Sequence, residues 1–284
     1  MPDAAPRRRP APHVGVVVRT ERLSPSFVRV LVGGLATFEP SPHADSYVKL
    51  VMLPSGAPRP IDPEGRLDLD AVRTALPADD QPRQRAYTVR AYDAARRELA
   101  LDVVVHGDQG VAAPWAAKAQ PGDPVALTGP GGAWSPDRDA ASHLLIGDAS
   151  ALPAVAVALE RLPASAVGHA LLEVPHADDE LPLAAPPGVE LRYVHTDERA
   201  PGAALVEAAL ALPSLPPPTS AFLHGEAGMV RELRRHLRAD RGIANTQLSV
   251  SGYWRLGVTD EGWRAGKRAW LADIESAEAA AGLR

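Results

Sequence analysis

The apolar pattern of this 284-residue chain changes character half-way along, and that change bounds the folds open to it. Before residue 130, short runs at 13–20, 27–32, 46–53, 85–92, 98–106 and 124–128 are β-branched or alternating, with Gly, Pro and Asp between them. Six short strands with few helices predict a six-stranded antiparallel Greek-key β-barrel. The runs 85–92 and 98–106 read as one hairpin across Asp93-Ala94-Ala95-Arg96. After residue 140, apolar runs at 143–146, 169–174, 191–195, 222–224 and 248–251 alternate with helical spacing at 150–162, 202–212 and 227–240. That alternation predicts an α/β domain with a parallel sheet and crossover helices. A last helix is expected over about 259–281, with Thr259 or Asp260 as its N-cap. The expected organisation is therefore a tail over 1–12, a barrel domain over 13–135, a linker at 136–140 and an α/β domain over 141–284. The Pro- and Asp-rich stretch 54–84 interrupts the barrel and holds one helical run, 67–76. It reads either as a lid or as a flexible excursion.

Composition excludes several classes. With no cysteine, disulfides, iron–sulfur clusters and thiolate metal sites are ruled out. A net charge of −5 argues against general nucleic-acid binding. There is no apolar run of about 18 residues, so no stable membrane insertion is expected. The basic, Pro-rich start with Arg7-Arg8-Arg9 lacks the apolar core of a secretory signal. A cytoplasmic monomer is the expectation.

The hexapeptide Arg85-Ala86-Tyr87-Thr88-Val89-Arg90 carries the first functional signal. Read as a strand, it offers Arg85, Tyr87 and Thr88 on one face: a cation for phosphate, a ring for stacking and a hydroxyl for a polar ring edge. The pattern resembles the flavin-binding signature of the ferredoxin-reductase superfamily. About 15 residues downstream of it, Val105-His106-Gly107-Asp108-Gln109-Gly110 lets the backbone bend, and Ala112, Ala113, Pro114 and Trp115 open a helix near Pro114. First-turn N–H groups there can hold a pyrophosphate. Thr128-Gly129-Pro130-Gly131-Gly132 reads either as a tight turn against a flavin or as a domain-exit loop.

Gly147-Asp148-Ala149-Ser150 follows the first strand of the α/β half, where nucleotide phosphates bind in doubly wound sheets. It lacks the G-x-G-x-x-G fingerprint. A carboxylate repels a pyrophosphate, so Asp148 either faces a flavin or caps the helix. Gly252-Tyr253-Trp254-Arg255 follows the last strand, at the ligand end of the sheet. Its aromatics either wall a pocket or plug the gap under the final helix.

Taken in order, these segments resemble the siderophore-interacting proteins, FAD-dependent ferric-siderophore reductases. Matching pieces include Tyr47-Val48-Lys49-Leu50, Arg85 to Arg90, His106-Gly107-Asp108, Gly129-Pro130-Gly131-Gly132, Gly147-Asp148, Glu173-Val174-Pro175, His224-Gly225-Glu226-Ala227 and Gly252-Tyr253-Trp254-Arg255. The resemblance implies FAD held between barrel and α/β domain, NADH or NADPH as donor, and a ferric siderophore as acceptor that is reduced to release Fe(II). It assigns Arg85, Ala86, Tyr87, Thr88, Val105, His106, Gly110, Ala112, Ala113, Trp115, Thr128, Asp148 and Ser150 to the cofactor. Lys49, Arg90, Tyr253, Trp254 and Arg255 fall to the iron complex. Lys267 and Arg268 are weaker candidates, and Arg231, Arg234 and Arg235 are placed to meet a 2′-phosphate. The chain departs from the family pattern at Ala149-Ser150, where Glu-Thr is common, and at Leu256, where a second basic residue is common. These departures keep two alternatives open: a flavin reductase with a ferredoxin or quinone partner, and a non-catalytic binder.

Overall fold

Alternate residues of β2 (Phe27–Gly33) and β6 (Glu98–Val104) fix the inside of the first unit. Their antiparallel register sets Val28 against Val103, Val30 against Leu101 and Val32 against Leu99. All six side chains enter one buried cluster, because opposed residues on a strand pair share a face. The computed structural model describes residues 11–107 and 110–283, so Asp108, Gln109 and the tail with Arg7-Arg8-Arg9 lie outside the described residues.

β1 (His13–Ser24), β3 (Tyr47–Met52), β4 (Arg83–Thr88), β5 (Ala91–Asp93) and β7 (Pro124–Gly131) complete the sheet, in the order β4-β3-β7-β1-β2-β6-β5. Its two end strands, β4 and β5, are separated by only Val89 and Arg90. The Val89 N–H donates to Ser46 O at 2.8 Å, and the Arg90 N–H donates to Ala100 O at 2.9 Å. The chain thus steps from one edge of the sheet to the other in two residues and closes the barrel. The expected hairpin across Asp93 to Arg96 is present but short, with Asp93 paired to Glu98. The strand read over 85–92 is bent at Val89–Arg90: its first half pairs with β3, and only β5 pairs with β6. The six strands read from the sequence become seven segments, with β4 and β5 the two arms of one strand.

The stretch 54–84 is a packed layer, not a flexible excursion. Leu67 and Val72 are buried against Val51 of β3 and Ala126 of β7. Its helix, α1 (Leu69–Ala75), starts later than the expected 67–76, because Leu67 bridges Ile61 and Asp68 caps the helix by accepting from Ala71 N. At the end of the barrel, α2 (Ala112–Lys118) is followed by Ala119, and Ala116 and Ala119 enter the barrel cluster.

The second unit has five parallel strands: β8 (Ser142–Asp148), β9 (Val167–Val174), β10 (Gly188–His195), β11 (Thr219–Glu226) and β12 (Leu248–Trp254). Their order is β10-β9-β8-β11-β12. Both β8 and β11 are buried along their whole length, as central parallel strands are. The strand order reverses between β8 and β11, the place where open α/β sheets bind ligands beyond their carboxyl ends. The helices are α3 (Leu152–Arg161), α4 (Ala203–Leu210), α5 (Ala227–Arg235) and α6 (Asp260–Ala280). Thr259 caps α6, and Trp263, Trp270 and Ile274 of that helix enter the core of this unit. No described helix is long and apolar enough to cross a membrane.

Backbone contacts divide the chain at Ala133/Trp134, and Leu23–Ser26 belongs with the second unit. There Ser24 Oγ and the Ser26 N–H donate to Asp179 Oδ1 at 2.8 and 2.7 Å. The residues read as a linker, 136–140, pack in the second unit: the Asp137 N–H donates to Ser220 Oγ at 3.1 Å. If 54–84 is a packed layer, Leu67→Ala should cost about 2–4 kcal/mol, read as a lowered unfolding midpoint in denaturant; a free excursion would leave the midpoint unmoved.

Candidate functional site

Strand register decides which residues of the hexapeptide act together. Across β4-β3-β7, Lys49 lies between Ala86 and Thr128, and Tyr47 lies between Thr88 and Gly131. The opposite face pairs Arg85 with Leu50 and Tyr87 with Val48. The expected single face of Arg85, Tyr87 and Thr88 is therefore corrected: Thr88 is one residue on from Tyr87, so the strand period sends it the other way. On one face Tyr87 is half-buried and packs on the barrel cluster, against which Val105 and Trp115 pack as well. The other gathers Ala86, Thr88, Lys49 and Thr128. The Lys49 side chain has no hydrogen-bond or ion-pair partner among the described residues. The Arg85 guanidinium reaches back to Gln84 O at 3.0 Å.

The glycine loop after β7 serves its neighbours. A Cβ on Gly131 would lie 2.5 Å from the Tyr47 ring, and one on Gly132 would lie 2.9 Å from Asp45. Upstream of α2, Gly107 and Gly110 have φ of 51° and 81°, the left-handed region that glycine enters freely. His106 is exposed. The helix opens at Ala112, two residues before the expected Pro114, and its N-cap Val111 offers no side-chain cap.

Arg90 is not grouped with Lys49. Its Nε lies 3.8 Å from Asp102 Oδ2, and Asp102 also accepts from Arg29 Nε and Nη2 at 2.6 and 2.8 Å. Two guanidinium groups thus share one buried carboxylate.

In the α/β unit, Asp148 stands at the end of β8 with both oxygens engaged. Oδ1 accepts from the Ser150 N–H at 2.9 Å and from Ser150 Oγ at 2.5 Å. Oδ2 accepts from the Glu226 N–H and from Trp254 Nε1, both at 2.8 Å. Burial pushes the Asp148 carboxyl above its ordinary value, and these four donors pull it back. The Ala149-Ser150 departure keeps a hydroxyl where Asp148 uses one. A Cβ on Gly225 would sit 2.7 Å from this carboxylate, so the glycine leaves room for it.

Two further motif acids work in the same way. Glu226 caps α5 by accepting from the Met229 N–H at 2.9 Å, and its other oxygen accepts from the Leu256 N–H at 3.1 Å. Glu173, at the end of β9, accepts from the Gly202 N–H at 2.7 Å just before α4.

The Gly252-to-Arg255 segment divides residue by residue. Gly252 lies under Trp263, where a Cβ would come within 2.8 Å of the indole. The Tyr253 hydroxyl is 2.9 Å from His224 Nδ1, and the Trp254 indole N–H goes to Asp148. Arg255 is exposed, and its side chain has no partner among the described residues. His224 has no role among the sequence expectations; the period of two places it beside Phe222 on β11. Its ring stacks on Phe222 at 3.7 Å, and Nε2 meets Ser249 Oγ at 2.9 Å. Lys267 Nζ donates to Ser251 Oγ at 2.9 Å. Of the arginines read toward a 2′-phosphate, Arg234 is buried on Glu278 at 2.5 and 2.8 Å, and Arg235 lies 3.8 Å from Asp240. Arg231 is exposed.

The comparisons with known proteins agree with this layout. Residues 16–134 match the model of the siderophore-interacting FAD-binding domain, and residues 140–257 match that of the siderophore-interacting protein. The chain belongs to the siderophore-interacting protein family. Among relatives of the family member described here, the ferric vibriobactin reductase ViuB of Vibrio cholerae is 36% identical over 190 residues, covering 65% of this chain and 69% of that one. The NADPH-dependent ferric-chelate reductase of Escherichia coli is 32% identical over 246 residues, covering 84% and 91%. The crystal structure of the siderophore-interacting protein SipS from Aeromonas hydrophila superposes with a TM-score of 0.76 at 28% identity, over 92% of this chain and 98% of that one.

Burial pushes the His224 imidazole down from 6.5 to about 3. The native state holds it neutral while the unfolded chain takes up a proton below pH 6.5, so this histidine makes stability fall as pH drops from 6.5 toward 3. Burial lowers His13 and His143 too, and the raised Asp148 and Glu173 act in the opposite sense. The test is therefore differential. Unfolding free energies from denaturant titrations between pH 7 and 5 should fall less steeply in His224→Gln than in wild type, by up to about 1.4 kcal/mol per pH unit.

Proposed function

We propose that the protein is an FAD-dependent reductase that takes electrons from NADH or NADPH and delivers them to the iron of a ferric siderophore. The observation that carries this reading is the match of residues 16–134 to an FAD-binding domain, together with the residues that its strands gather. The chemistry of those residues fits a flavin nucleotide. Tyr87, Val105 and Trp115 offer a half-buried apolar and aromatic surface for stacking. Arg85 supplies a cation for phosphate, and the α2 start supplies N–H groups without a side-chain cap behind a left-handed glycine turn. Ala86, Thr88 and Thr128 add small and hydroxyl-bearing positions on the other face of β4-β3-β7.

Bound FAD supplies two-electron acceptance from a hydride donor and one-electron delivery, which ferric iron requires. Oxidation of one nicotinamide balances reduction of two Fe(III) to two Fe(II), with one proton released. Siderophores are hard oxygen chelators, so the softer, less charged Fe(II) is held less tightly and leaves. The names of the Vibrio and Escherichia relatives support the acceptor. The chain's own part is attraction and placement. Lys49 and Arg255, each without a partner among the described residues, are the cations for an anionic complex. Arg90 is held beside Asp102, which it shares with Arg29, and is assigned the smaller part. Asp148 and Ser150 act on the nucleotide side by fixing the crossover after β8, and Tyr253 and Trp254 line the carboxyl end in fixed orientations. With Arg234 and Arg235 paired, either nicotinamide nucleotide remains a candidate donor, with Arg231 the exposed cation for a 2′-phosphate.

Purified protein should be yellow, bleach on anaerobic addition of NADH or NADPH, and reduce a ferric chelate trapped by an Fe(II)-binding dye. Protein that cannot take up FAD, or that turns over quinones and not ferric chelates, sinks the proposal. Arg85→Ala should weaken FAD binding by about 1–3 kcal/mol, measured by flavin fluorescence titration. Lys49→Ala should raise KM for an anionic chelate and leave flavin content unchanged.

A further inference from the structure

We propose that the turn after β12 is an apolar subsite, in which Leu256 and Val258 receive a hydrocarbon or aromatic substituent of the ferric chelate beside the charge of Arg255. The subsite rests on the reductase reading and names the class of chelate within it.

Leu256 and Val258 are 57% and 42% exposed, two large aliphatic side chains within three residues. Scattered exposed apolar residues are ordinary on a protein surface, and looseness could account for such a pair in a free loop. This loop is anchored on both sides of Arg255 and across its turn. On one side of Arg255 the Trp254 indole N–H is held by Asp148, and on the other the Leu256 N–H is held by Glu226. The Val258 N–H donates to Arg255 O at 3.1 Å, which closes a four-residue turn. Gly257 has φ 75°, so Leu256 occupies the first of the two corner positions, whose side chain projects from the tip. Thr259 then caps α6 by accepting from the Gly262 N–H at 3.2 Å.

Two buried carboxylates thus fix a tip that presents aliphatic surface to water. The tip lies at the carboxyl end of a parallel sheet, the end where such sheets bind ligands. Arg255 carries the charge beside it, and the nearby acid Glu226 has both oxygens on backbone N–H groups. A cation followed in one tight turn by two exposed aliphatic side chains complements an anionic metal centre that bears an apolar arm. It offers nothing extra to a uniformly hydrophilic chelate.

The test uses two ferric hydroxamates with the same iron-binding core, one of them carrying a short acyl chain. Reduction by the FAD-loaded full chain is followed with the Fe(II) dye. Binding without turnover is followed with the redox-inert Ga(III) forms by tryptophan fluorescence. Wild type should favour the acylated chelate in KM and in Ga(III) Kd. Leu256→Ser and Val258→Thr should each erode that preference by about three- to tenfold, with kcat, FAD content and affinity for the plain chelate unchanged. Equal affinity for the two chelates in wild type, or a preference that survives in both variants, overturns the subsite while reduction of ferric chelates stands. A Ga(III) preference without any reduction supports the subsite and overturns the reductase reading. No binding of either chelate overturns both.

Discussion

The α/β unit depends on one buried carboxylate. Asp148 takes four hydrogen bonds from three places: the crossover after β8, the end of β11 and the indole of Trp254. Leaving a carboxylate buried and unpaired is expensive, and each donor offsets part of that cost. The oxygens therefore dictate where those three segments go, since moving any of them strips a donor from a buried acid. Glu226 and Glu173 repeat the device one strand to either side, each accepting from the backbone before or within the next helix. Three acids at the ends of adjacent strands thus act as joints. The exposed residues Arg255 and Leu256 are carried by chain that these joints hold.

The barrel solves a different problem. Paired Val and Leu residues of β2 and β6 fill one cluster, while the candidate cofactor residues lie on β3, β4 and β7, on the inner as well as the outer face. Because the strand period is two, a single strand can serve both. Arg85 and Tyr87 share the face of Leu50 and Val48, and Ala86 and Thr88 share the face of Lys49 and Tyr47. A motif that looks like one cofactor contact is thus split between two surfaces.

Much of this was legible in the sequence. The change from short alternating runs to strand-then-helix alternation follows directly from side-chain periodicity, and the parallel sheet, α3 to α6 and the Thr259 cap all appear where that pattern puts them. The ordered motifs were enough to mark the family. What stayed hidden depends on contacts between distant residues. The bend at Val89–Arg90 is imposed by Ser46 and Ala100, which no local pattern links. The packing of 54–84 rests on Leu67 and Val72 finding the outer face of β3 and β7. Asp148 reads locally as a cap or a ligand contact, and its tie to Trp254 spans 106 positions. Arg90 and Arg234 look like available cations until Asp102 and Glu278 are placed beside them.

The bent strand has a consequence for association. An open sheet offers unpaired N–H and C=O groups at its edges, and another chain can add a strand there. With Val89 bonded to one side and Arg90 to the other, the barrel's two end strands become the arms of one strand, each of them short: β4 (Arg83–Thr88) and β5 (Ala91–Asp93). The parallel sheet still ends in β10 and β12. On β10 the exposed charges Glu190 and Arg192 alternate along the strand, the kind of edge that discourages a second copy. Short edge arms in the barrel and alternating charges on β10 thus both work against strand addition between molecules.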